Sequence, residues 1–278
     1  MASAEFFTPL ALDFLWESME IGELPYPLQV RSHGRTVDER RALRRRAHGE
    51  LAARQILDGG RPDRRVEDWL LLLARPARSV DSVHISDLNG APIAALAASD
   101  GVENAVIAVQ DADGLWLRPL PVSSLASSIV ELLPQHKRGT ERSVTIASTE
   151  LAKPLPRRDP VAAGVGAGQQ DPEEAGRRSG KRSRSQLVDA PTDPRAAYAQ
   201  LAEHPRQRGG QIAANSRNSV GGRRRSRVLG WFDNDTGRYL SISRPGPDGS
   251  EWVTVSPADP ATLRHHIGEM LTSVAAGR

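Results

Sequence analysis

The residues that could do chemistry are scattered, and their spacing matches no reactive constellation. His33, His48, His84, His136, His204, His265 and His266 include no HExxH pair of the kind that seats zinc on one helix face. Cysteine is absent, which removes disulfides, zinc–thiolate sites and thiol nucleophiles together. Asp233-x-Asp235-x-Gly237 and Asp111-x-Asp113-Gly114 begin like calcium loops but lack the further ligands and the closing glutamate. Both read as hairpin turns. Gly164-Val165-Gly166-Ala167-Gly168 follows no strand, opens no helix and lacks the third glycine of a nucleotide-binding loop. No G-x-S-x-G elbow exposes a serine, and Glu173-Glu174 sits where no scaffold could tune a carboxyl. The expectation is a protein that is not an enzyme, with no catalytic residue, cofactor or metal.

The charged residues point to binding. The formal net charge of +3 hides an uneven distribution. Residues 137–227 carry 19 Lys/Arg against 9 Asp/Glu, while the rest carries 18 against 25. Three basic runs stand out: Arg44-Arg45-Arg46, Lys181-Arg182-Ser183-Arg184 and Arg223-Arg224-Arg225. They make an arginine-rich nucleic-acid-binding protein the alternative function. Aromatic residues do not interleave with them, however, and acids surround the first run. A solvated helix face, a charged linker and a guard on an edge strand account for the three runs, so no nucleic-acid partner is expected.

The elements that would position any site are organised around a repeat. RVLGWFDNDTG, RYLSISRPGPDG and SEWVTVSPADP, from Arg227, read as three strands with turns at Asn234–Gly237 and Pro247-Asp248-Gly249. A helix follows, expected to open on Ser256-Pro257-x-Asp259, with the apolar stripe Leu263, Ile267, Met270 and Leu271. NAVIAVQDADG, LWLRPLP and VSSLASSIVELL, from Asn104, repeat the pattern, with the stripe Leu125, Ile129, Leu132 and Leu133. Trp116 and Trp252 fall at matching places, and all five tryptophans are expected in the core. Such a unit buries a sheet face against its twin. SVHISDL and APIAALAAS complete a first four-strand meander; GGQIAANSRN opens a second, and SVTIAS at 143–148 reads as one more strand.

Helices precede the first meander. Thr8-Pro9 starts one that Gly22 ends, Thr36-x-x-Glu39 caps a second running to about Leu57, and Val66, Trp69, Leu70 and Leu73 make a third that stops before Pro76. DPRAAYAQLAEHP at 193–205 is a fourth. Residues 154–185 lack periodicity and read as a disordered basic linker between a first half at 1–133 and a second at 193–273, all within one domain over 1–278. No apolar run approaches the roughly 20 residues of a membrane helix, and the N-terminus has no basic region of a signal peptide. A cytoplasmic protein without membrane contact is expected.

LDFLWESMEIGELPYPLQV at 12–30, VEDWLLLLARP at 66–76, LGWFDNDTGRYL and EWVTVSPADPATLRHHIGEML together resemble the EspG family of type VII (ESX) secretion-associated proteins. The resemblance implies an α+β fold: a central antiparallel sheet built from two quasi-twofold-related halves, flanked by helical bundles. It also implies a cytosolic chaperone that binds a PE–PPE heterodimer at the apolar tip of the PPE helical bundle and keeps it soluble before secretion. Two surfaces are the candidate contact sites. One is the turn Ser99, Asp100, Gly101, Val102 and Glu103; the other is the exposed side of the last helix at Arg264, His265 and Glu269.

Overall fold

The computed structural model describes residues 4–151, 193–247 and 249–275. The linker expected at 154–185 lies outside them. The elements in order are β1 (Glu5–Phe7), α1 (Pro9–Met19), α2 (Val37–Ala53), β2 (Leu57–Asp58), β3 (Arg61–Pro62), α3 (Arg64–Ala74), β4 (Arg78–Ile85), β5 (Ile93–Ser99), β6 (Ala105–Gln110), β7 (Leu115–Leu120) and α4 (Leu125–Val130). After them come β8 (Val144–Ala147), α5 (Ser148–Leu151), α6 (Pro194–Ala202), β9 (Arg208–Arg217), β10 (Arg223–Arg225), β11 (Leu229–Asn234), β12 (Gly237–Pro245), β13 (Glu251–Pro257) and α7 (Pro260–Ala275).

One large antiparallel sheet runs β1-β7-β6-β5-β4-β9-β11-β12-β13-β8, with β10 on the flank of β9. The order reads the same outward from the β4–β9 pair: each side is a four-strand meander closed by one extra strand. Both meanders also have a helix before them, α3 or α6, and one after them, α4 or α7. The quasi-twofold expected from the repeat is therefore present, and it includes leading helices that the repeat had not contained. The α+β class and the antiparallel sheet hold as well.

Alternation along the strands sorts the apolar residues to two faces. On one face, α1 and α3 cover β5, β6 and β7 through Leu12, Leu15, Leu70, Leu73, Leu96, Val106 and Leu117. A smaller cluster under α6 joins Leu201, Phe232, Tyr239 and Val255 on that face of the second meander. On the opposite face, α4 and α7 share one core drawn from both meanders: Val80, Ile107, Leu125 and Ile129 with Ile212, Trp231, Leu263 and Ile267. Each fully buried aliphatic side chain contributes about 1.5–3 kcal/mol.

Local signals explain most boundaries. Thr8 and Thr36 cap α1 and α2 through their hydroxyls, and Asp63 caps α3 by accepting from the Val66 amide. The second helix stops at Ala53, short of Leu57, because Gln55 turns left-handed (φ 58°) and Leu57 pairs in the β2–β3 hairpin. The last helix begins later than expected. Ser256 and Pro257 lie in β13, paired with Leu240 and Tyr239, and the capping carboxylate is Asp259.

Trp16, Trp69 and Trp231 are buried, but Trp116 and Trp252 are 48% and 37% exposed. Their strand neighbours Leu117 and Val255 point into covered cores, so alternation turns both indoles to the face of α4 and α7. Those two helices cover only the centre of that face. Trp116 packs against Phe6, at 4.7 Å between centroids.

The β4–β9 pair leaves no room for a side chain at Gly210, opposite His84. A Cβ at Gly210 would lie 2.5 Å from the Val83 carbonyl oxygen and 2.5 Å from the His84 Cβ. Gly210→Ala is expected to cost about 1–3 kcal/mol, read as a lower urea midpoint, because backbone cannot move aside there. An unchanged midpoint would show that the pair can open to admit a methyl group.

Candidate partner-binding surfaces

The turn at 99–103 joins β5 to β6. Ser99 is fully buried, and its hydroxyl accepts from the Gly101 amide at 2.9 Å. Asp100 organises the rest. Its Oδ1 accepts from the amides of Val102, Glu103 and Asn104, and its Oδ2 accepts from the Asn104 side chain. Partial burial works to raise this carboxyl, but the Val102 amide and the Asn104 donors outweigh it and hold it below the ordinary carboxylate range. Gly101 adopts φ 83°, which glycine accepts without strain. The result is a preorganised turn that presents Val102, 78% exposed, at its tip.

The second surface is built by α7. Asp259 anchors its start by accepting from the Thr262 amide and hydroxyl and from Arg138. The Thr262 amide is the main reason its carboxyl falls to about 2, with Arg138 adding to it. Leu263 and Ile267 face the sheet, which turns Arg264, His265 and Glu269 outward. Glu269 lies 3.5 Å from His265 and 3.1 Å from His266. Arg264, His265 and Glu269 thus share one exposed strip with Gly268, Thr272 and Ser273.

The fold does not merge the two surfaces into one patch. The Ser216 hydroxyl donates to the Val274 carbonyl at the last turn of α7, and Ser216 pairs with Arg78, which pairs with Ser99. The turn therefore lies at the end of the sheet reached by the C-terminus of α7, while Arg264, His265 and Glu269 lie turns earlier. Two surface features were missed in the sequence. Leu88, 61% exposed, sits at the opposite sheet end beside Asn89-Gly90. Between α7 and the β10–β11 connection runs a groove of about 550 Å³, lined by Val228, Ile242, His266 and Met270. An exposed leucine next to a turn dipeptide was the available signal for the first; the groove is a tertiary feature without one.

The motif fragments are also placed. The Asp233 carboxylate accepts from Arg238 and Arg208, and Asp111 accepts from the amides of its own turn. Arg225 forks onto Asp81 at 2.6 and 2.9 Å. Among the described residues no group of three or more His, Asp or Glu side chains could hold a metal ion, and no helix is long and apolar enough to cross a membrane.

Fold and surfaces together define an α+β scaffold with a pseudo-symmetric sheet, whose candidate sites are exposed turns and helix faces. The EspG family model matches residues 8–269, and the chain belongs to the EspG family. Its fold is similar to that of the Mycobacterium tuberculosis type VII secretion system chaperone EspG5, solved in complex with the PE25–PPE41 dimer. That similarity has a TM-score of 0.65 at 13% identity, over 98% of this chain and 96% of that one. No curated protein matches the sequence.

Proposed function

We propose that this chain is a cytosolic, non-enzymatic specificity chaperone of a type VII secretion system, binding a PE–PPE-type heterodimer and keeping it soluble before export. The observation that carries the reading is family membership over residues 8–269 together with a full-length fold likeness to EspG5, a chaperone captured on such a dimer. The physical task is to cover an apolar patch that would otherwise self-associate. Preorganised turns and an exposed helix face on a rigid sheet suit it.

Contact is assigned to Ser99, Asp100, Gly101, Val102 and Glu103 in the turn and to Arg264, His265 and Glu269 on α7. Within the turn, Ser99 and Asp100 hold the backbone in shape, which leaves Val102 as the apolar anchor. Co-expression with PE–PPE pairs from the same genome should yield a soluble ternary complex with one of them. Absence of any such complex would overturn the function. Val102→Asp should weaken that complex at least tenfold without changing the melting temperature. If Leu88→Asp does so and Val102→Asp does not, the contact lies at the opposite sheet end.

A further inference from the structure

The second meander contains a charge arrangement that no carboxylate among the described residues neutralises. Antiparallel pairing of β9 with β10 sets Arg217 directly opposite Arg223. Like charges at facing positions destabilise a strand pair. The next pair on the same face, Arg225 and Asn215, converges on Asp81: the guanidinium donates at 2.6 and 2.9 Å and the amide at 2.7 Å. Asp81 is thereby committed to Arg225 and Asn215. Among the described residues, no carboxylate pairs with Arg217 or Arg223.

A guard on a sheet edge requires charge on one strand only. Here the facing strand is charged as well, and both arginines line a cavity of about 850 Å³ between the sheet and the segment following α1. Leu24, Pro25, Tyr26 and Leu96 form an apolar and aromatic wall, while Glu23 and Arg75 add one charge of each sign to the lining. The Tyr26 ring is 60% exposed and is steadied by the Arg225 guanidinium, 5.3 Å from its centroid. This size lies in the usual range for small-molecule pockets, roughly 300–1,000 Å³.

We propose that this cavity binds a phosphate-bearing small molecule of about mononucleotide size, with the phosphate between Arg217 and Arg223 and its apolar or aromatic body against Leu24, Pro25 and Tyr26. The facing of Arg217 and Arg223 selects phosphate over carboxylate. One arginine fork satisfies a carboxylate, as Arg225 does for Asp81, whereas two adjacent unmatched guanidiniums match a group with close to two negative charges and three acceptor oxygens. The site shares no residue with the surfaces assigned to the chaperone's partner, although Arg217 and Ser99 both hydrogen-bond to the Ala77 backbone.

The test is calorimetric titration of the full chain with pyrophosphate and with AMP at moderate salt. Both should bind, and Arg217→Gln/Arg223→Gln should weaken both at least tenfold. The same double variant should melt no lower than the parent without ligand, since it relieves repulsion; this separates a lost site from a damaged fold. Tyr26→Ala should weaken AMP severalfold and leave pyrophosphate unchanged. Failure of both probes to bind at millimolar concentration, or equal binding by the double variant, would overturn the proposal. Tighter, steeply salt-dependent binding of a random single-stranded oligonucleotide than of AMP would also overturn it, making the site a nucleic-acid surface.

Discussion

Replacing Asp233 with alanine should lower the free energy of unfolding by about 3–5 kcal/mol, measured by urea denaturation at neutral pH. The carboxylate is fully buried and accepts from Arg238 at 2.7 and 2.8 Å and from Arg208 at 2.8 Å. Arg238 is only 2% exposed; it also donates to the Pro134 carbonyl and lies 4.7 Å from the Trp231 ring centroid. Removing the acid strands a guanidinium where water cannot reach it, and that is the costly step. The apolar double replacement Asp233→Leu/Arg238→Met should therefore lose less than the two single changes combined, because the only guanidinium left without the carboxylate is that of Arg208, which is partly exposed to water. A loss below about 1 kcal/mol for Asp233→Ala would show that Arg238 finds other shelter.

The second large effect is a loss of stability in mild acid through His84. It sits at 1% exposure on β4, 6.0 Å from the Trp231 ring and near Arg238, and neither ring nitrogen has a hydrogen-bond partner among the described residues. Burial first, and the Arg238 charge second, depress its pKa from 6.5 to about 4. Between those values the unfolded chain holds a proton that the folded chain refuses. The stabilising contribution is thus complete above pH 6.5 and is lost as pH falls toward 4: roughly 2 kcal/mol at pH 5 and up to about 3 near pH 4. Urea midpoints at pH 7.5, 6 and 5 measure it, and comparison with His84→Gln isolates it from the carboxylates. If the variant retains the parent's full decline between pH 7.5 and 5, His84 is not the cause.

The meanders were legible because their physics is local. Short strand-like runs marked β4, β5, β6, β11 and β12, and Asn-Gly, Asp-Gly or Asn-x-x-Gly turns separated them. The two stripes on α4 and α7 gave the repeat away because each must cover the same kind of sheet face. Tertiary choices were not legible. Trp116 and Trp252 read as core residues, yet exposure depends on how much of a face two helices cover. The start of α7 moved to Asp259 because pairing with β12 claimed Ser256 and Pro257. Arg238 looked like any hairpin arginine; its burial comes from Asp233, Pro134 and Trp231 meeting across the sheet. Of the surface residues singled out, Val102 and the strip on α7 are exposed, while Ser99 is a buried support for the turn. The facing arginines could be seen only once the register of β9 and β10 was known.

The placement of α4 and α7 has a consequence for how the chain could be divided. Their shared core takes side chains from both meanders, so neither meander alone would hide its own greasy surface. The two behave like subunits of an obligate dimer, and the peptide link between them sets their effective concentration. Made as separate fragments, they should stay unfolded alone and recover structure only on mixing, with a midpoint that rises with concentration.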